Sequence, residues 1–92
     1  MTIWKFSLKT VDEQFITVPV INRPLCVQVQ DITPCLWMMV DPDSERIKVR
    51  VRIFGTGHPG VTSDMDYVGT YQSRGGALVF HVFLAGVVAQ SA

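Results

Sequence analysis

Residues 46–54, RIKVRVRIF, decide the fold. Arg46, Lys48, Arg50 and Arg52 share one parity, and Ile47, Val49, Val51 and Ile53 share the other. An apolar residue at every second position marks a strand with one face on a core and one toward water. A helix needs apolar residues at i, i+3, i+4 and i+7, and no stretch of ordinary helix length shows that spacing. Half of the eight basic residues therefore project from one side of one strand, successively about 6.5–7 Å apart.

Outward from this strand the same period recurs. Residues 3–8 predict a first strand, and EQFITVP (13–19) a second, with Phe15 and Thr17 on one face and Ile16 and Val18 on the other. PLCVQVQ (24–30) sets Gln28 and Gln30 against Val27 and Val29. CLWMMV (35–40) is a continuous apolar run, which predicts a central strand covered on both faces, with Trp37 in the core. YVGTYQS (67–73) and ALVFHVFL (77–84) supply two more strands. Turn residues separate them at DPDSE (41–45), NRP (22–24) and RGG (74–76). The longest irregular segment, GTGHPGVTSDMD (55–66), is too rich in glycine and proline for more than a helical turn over 62–67. This pattern predicts an all-β protein: a single compact antiparallel β-sandwich or partly open barrel of about seven short strands. One domain spans 1–92, with 84–92 as a C-terminal tail, flexible or interface-forming. Exposed sheet edges and an apolar last strand predict a homo-oligomer.

Composition narrows the function classes. Ninety-two residues bury one core, not two. Eight basic and eight acidic side chains cancel, which disfavours a general nucleic-acid coat. The most apolar segment, ALVFHVFLAGVVA (77–89), has 13 residues and falls short of the ~20 of a membrane helix. The opening MTIWKFSLK lacks the apolar region of a signal peptide. The expectation is a cytoplasmic protein with no membrane partner. Cys26 and Cys35 read as free thiols, since no C-x-x-C is present and a hairpin loop over Asp31–Thr33 keeps them apart; a two-residue turn at Gln30–Asp31 would pair them but lacks the glycine or asparagine it prefers.

The cationic face has three readings. It is a solvated outer surface, or a surface for an acidic protein partner, or an anion site, because four like charges so close repel and a bound phosphate relieves them. Three of the four are Arg, whose fork suits phosphate. The turn that follows, FGTGHPG, adds Gly55 and Gly57, which permit positive φ and close approach, so that Gly55, Thr56 and Gly57 are candidates to offer N–H groups to an anion. It is not a P-loop, lacking G-x-x-x-x-G-K-[ST]. The candidate ligand-binding set is Arg50 and Arg52 for phosphate, the Gly55–Gly57 backbone, the Thr56 hydroxyl, the His58 imidazole, and Tyr71 as a stacking face, with Trp4 a further aromatic candidate. His81, within VFHVF, reads as a packed core histidine. No catalytic residue is expected. There is no G-x-S-x-G, the carboxylates sit in turns, and the histidines stand in HPG and HVF rather than H-x-[ST]. No metal set and no cofactor motif is present.

The segments IWKF, DEQ, CLWMMVDP, RIFGTGHP, YVGTYQ and ALVFHVF, over about residues 3–84, together resemble a family of small uncharacterised bacteriophage-encoded proteins. The resemblance implies a small protein made in the host bacterial cytoplasm and carries over no activity or catalytic residue. That setting suggests a non-enzymatic counter-defence protein that sequesters a phosphorylated nucleotide-type immune signal. The alternatives are a protein–protein inhibitor of a host or defence complex and a minor structural virion protein. All three are analogies of role.

Overall fold

The computed structural model describes residues 1–90, and contains seven strands where seven were expected. These are β1 (Thr2–Ser7), β2 (Glu13–Pro19), β3 (Asn22–Gln30), β4 (Thr33–Val40), β5 (Arg46–Gly55), β6 (Asp66–Ser73) and β7 (Leu78–Gln90), with a single short 3-10 turn at Arg74–Gly76 among the described residues. They form two antiparallel sheets, one ordered β1-β4-β3 and the other β2-β5-β7-β6. No helix among the described residues is long and apolar enough to cross a membrane.

The alternation of β5 does what its pattern requires. Ile47, Val49, Val51 and Ile53 are buried, and join Val18 of β2, Val82 of β7 and Tyr71 of β6 on the inner face of the four-stranded sheet. Opposite them stand Leu36, Met38 and Val40 of β4, with Val27 of β3 and Leu8 just beyond β1. Fully burying one such side chain contributes roughly 1.5–3 kcal/mol, against about 1–2 kcal/mol lost in ordering each residue's backbone. β5 lies between β2 and β7, so its basic residues occupy the middle of an outer face and do not protect an edge.

β4 departs from expectation. It is central, but only Leu36, Met38 and Val40 face the other sheet. Cys35, Trp37 and Met39 point away, and no second layer lies over them. Cys35 is buried by its neighbours within the sheet, whereas Trp37 and Met39 are only half-buried, so Trp37 is not a core residue. The run is apolar on both parities, yet the chain supplies cover for one.

The β3–β4 hairpin closes through Asp31 and Ile32, since Gln30 pairs with Thr33. Asp31 takes φ +57°, the positive φ that a two-residue primed turn demands at its first central position, where a short polar side chain is tolerated. This register sets Cys26 opposite Trp37 and Cys35 opposite Gln28, so both thiols are free.

The C-terminal segment is a correction to the sequence reading. Residues 84–90 are no separate tail; they continue β7, which pairs with β5 as far as Ile47–Gln90. The register shifts twice along this pairing, near Gly86 with φ +98°, where an L side chain would be strained. The last two residues of the expected tail, 91–92, lie outside the described residues.

The two sheets close on one side where β3 meets β6. A Cβ at Gly69 would lie 2.7 Å from the Val27 Cβ and 3.1 Å from its backbone nitrogen. Gly69→Ala therefore forces the sheets apart and should lower stability by about 1–3 kcal/mol in urea unfolding. Val27→Gly in the same chain removes the Cβ at 2.7 Å and should recover part of that loss, making the double variant better than the sum of the singles. Strict additivity would show that the contact does not set the spacing.

Candidate functional site

The outer face of the four-stranded sheet carries the site. Cross-strand register builds it in rows. Glu13, Arg52, Phe83 and Tyr67 stand side by side across β2, β5, β7 and β6. The adjacent row is Phe54, His81 and Thr70. Residues of one row lie about 4.5–5.5 Å apart across each strand pair, close enough for side chains to touch. Phe83 meets Phe54 edge-on at 5.8 Å and Tyr67 at 5.6 Å between ring centroids. These geometries are the favoured ones for aromatic pairs.

The cations are held in place and only partly neutralised. Arg50 donates to Glu13 from Nε at 2.7 Å and from a terminal nitrogen at 2.6 Å. Both partners are well over a third exposed, so this pair contributes at most about 1 kcal/mol. Arg52 donates from Nε to the Asp12 carbonyl at 3.0 Å, and its guanidinium lies 4.9 Å from the Phe54 ring centroid. Its two terminal nitrogens make no hydrogen bond among the described residues. The Lys48 ammonium lies 5.6 Å from the Phe15 ring centroid. Arg46 leaves the array, donating to the Pro42 and Ser44 carbonyls and lying over Trp4 of the other sheet.

A chain of polar groups links this face to the glycine-rich turn. The Thr56 hydroxyl lies 2.7 Å from His81 Nε2, the Thr70 hydroxyl 3.0 Å from Nδ1, and the Tyr67 hydroxyl 2.6 Å from that of Thr70. Hydroxyls both donate and accept, so either neutral tautomer of His81, or the charged ring, finds partners on both nitrogens. His81 is thus a half-buried outer-face residue rather than a core histidine. Phe80 and Val82, on either side of it, take the inner parity.

The turn presents fewer free donors than its glycines suggest. The Thr56 N–H is bonded to the Val79 carbonyl and the His58 N–H to the Gly55 carbonyl, which leaves the Gly57 N–H free within residues 56–58. Gly57 has φ +87° and open space around it, so a ligand can approach its backbone. The His58 ring folds back over Gly55, where an added Cβ would lie 3.0 Å from it. The ring borders a depression of about 430 Å³ lined by Thr56, Ala77, Leu78, Val79 and Phe80.

Tyr71 does not belong to this face. Its residue is 4 % exposed, its ring packs on Phe80 at 5.4 Å, and its hydroxyl meets Thr10 Oγ1 at 2.6 Å. No ring face is left for a base. The exposed aromatic beside Arg52 and Phe83 is Tyr67, at 59 %. Sequence parity hides the exchange, because a register shift between Tyr67 and Gly69 turns two tyrosines four residues apart to opposite faces. Among the described residues no three His, Cys, Asp or Glu side chains gather to hold a metal. The array can bind, through cations, ring faces and hydroxyls.

The chain belongs to the DUF7352 family, described as a domain of unknown function, which it matches over residues 1–91. That match takes in nearly all of the segment set apart as a tail. No curated protein and no solved structure matches the chain.

Burial raises the Tyr71 pKa above 10.0, and the Thr10 hydrogen bond offsets this in part. A raised native pKa keeps its contribution to stability below the unfolded value and loses it as pH rises through the native one. Stability should therefore fall as the pH climbs past about 10. Tyr71→Phe should flatten that slope while costing about 0.5–1.5 kcal/mol at neutral pH for the lost hydrogen bond. Denaturant midpoints measured from neutral to alkaline pH check both statements.

Proposed function

We propose that this DUF7352 chain is a non-enzymatic binding protein whose outer four-stranded face takes a phosphorylated, base-bearing small molecule. The observation that carries the reading is the row Arg52–Phe83–Tyr67, in which a guanidinium with two free terminal nitrogens stands beside an exposed aromatic ring. Phosphate is recognised by the Arg fork, and a base stacks on Tyr67. Thr56, Thr70 and the Gly57 N–H offer hydrogen bonds to the sugar or a second phosphate. Arg50 and His58 border the site. In the bacteriophage setting that the sequence resemblance implies, such a protein acts in the host cytoplasm as a counter-defence sponge, sequestering a nucleotide-type immune signal as a homo-oligomer assembled through its unpaired sheet edges.

A second reading, direct inhibition of a host or defence protein, is favoured by the other sheet. Its outer face shows Met39 and a depression of about 300 Å³ lined by Ile3, Leu25 and Trp37, with Lys5 and Arg23 in the same rows and no carboxylate in them. That chemistry complements an apolar partner surface fringed by acidic groups.

Cyclic dinucleotides and ADP-ribose analogues should raise the melting temperature of the protein. Tyr67→Ala should weaken binding roughly ten- to hundredfold, the worth of one stacked base, and Arg52→Glu should abolish it, with neither changing the ligand-free melting temperature by much. If no such ligand stabilises the protein, the sponge reading fails. In that case a stoichiometric host protein recovered with the wild type but lost with Trp37→Glu would establish the inhibitor.

A further inference from the structure

At one end of the sandwich a cleft of about 360 Å³ opens between the β3–β4 turn and the β6–β7 turn. Val29, Ile32 and Pro34 give it an aliphatic wall, and Tyr71 and Thr10, joined through their hydroxyls, border it on another side. Asp31 and Arg74 line it from the two turns. Among the described residues these two alone, apart from glycines, have positive φ, at 57° and 51°. The hairpin explains Asp31. Arg74 is different: it opens a run of three left-handed residues with Gly75 and Gly76, where glycine would sit at less cost. The residue at this position is an arginine that lines the cleft.

Among the described residues neither charge is used by the fold. Asp31 and Arg74 form no ion pair with each other, and neither side chain is hydrogen-bonded to any described residue. Opposite charges held apart across a gap set up a field along it, and a dipolar molecule aligned with that field gains at both ends. Ile32 is 92 % exposed at the turn tip, an apolar side chain that an aliphatic ligand would cover. The volume lies at the small end of ligand pockets. The Asp31 carboxylate on the same cleft repels polyphosphates, which separates this cleft from the face proposed for the nucleotide.

We propose that the cleft binds a small aliphatic zwitterion, a free amino acid or a short peptide, with its carboxylate on Arg74 and its ammonium on Asp31. The ligand's side chain lies against Ile32 and Pro34. The proposal is independent of the nucleotide reading and stands if that reading fails.

Amide chemical shifts of the full chain, titrated separately with leucine and leucyl-leucine, test it. One or both should move the amides of 31–32 and 73–76 saturably, and the tighter of the two tells amino acid from peptide. N-acetyl-leucine, which lacks the ammonium, and leucine methyl ester, which lacks the carboxylate, should each bind at least tenfold more weakly. Asp31→Asn and Arg74→Gly both tolerate positive φ, so the turns survive, and each should cut affinity at least tenfold. No shift with either ligand, equal binding of the blocked forms, or undiminished binding by Arg74→Gly would overturn the assignment.

Discussion

Everything in the molecule is referred to the inward row of β5. Ile47, Val49, Val51 and Ile53 are pressed against the β4 row of Leu36, Met38 and Val40, and both rows are almost wholly removed from water. Because strand side chains alternate strictly, that burial leaves Lys48, Arg50 and Arg52 no place but the outer face. A register slip of one residue would drive three cations into the core, so the hydrophobic row specifies the site as firmly as it specifies the fold. β2 and β7 then inherit their faces from β5 by cross-strand pairing, and β6 inherits its own from β7.

The cationic row shows how a folded chain holds like charges together. Glu13 meets Arg50, the Asp12 carbonyl meets Arg52, and aromatic rings lie beside Lys48 and Arg52. Each contact is exposed and individually weak. Together they restrict rotamers without using every donor, leaving an oriented guanidinium beside Phe83 and Tyr67. Orientation lowers the entropy that a ligand must otherwise remove, which is why the face suits recognition better than a floating basic patch would.

The strands were legible because a period of two is a local property, as in 46–53, where charge and hydrophobe alternate without interruption. Single side chains were less legible. In VFHVF every residue but one is apolar, and parity alone could not say whether His81 or its neighbours face inward; pairing with Phe54 and Thr70 places it outside. Trp37 lies in a run apolar on both parities, a pattern shared by strands covered twice and strands covered once. The extension of β7 through 84–90 was obscured by Gly86, which reads as a break but accommodates a shift in pairing with β5. That Asp31 and Arg74 line one cleft has no trace in sequence, since 43 positions separate them and only the packing of the two sheets brings their turns to the same end.

The sequence by itself determined an all-β domain, its seven strands, and a strand whose basic residues share one side, since alternation and turn chemistry act over a few neighbouring residues. The tertiary structure decided which of two tyrosines a ligand can meet. Tyr67 and Tyr71 share parity in the strand DYVGTYQS, but a single shift of register leaves one exposed and turns the other into the core, with its hydroxyl on Thr10. Such a shift is set by how two sheets close around Gly69 and Val27, a contact between residues 42 positions apart that no local pattern encodes.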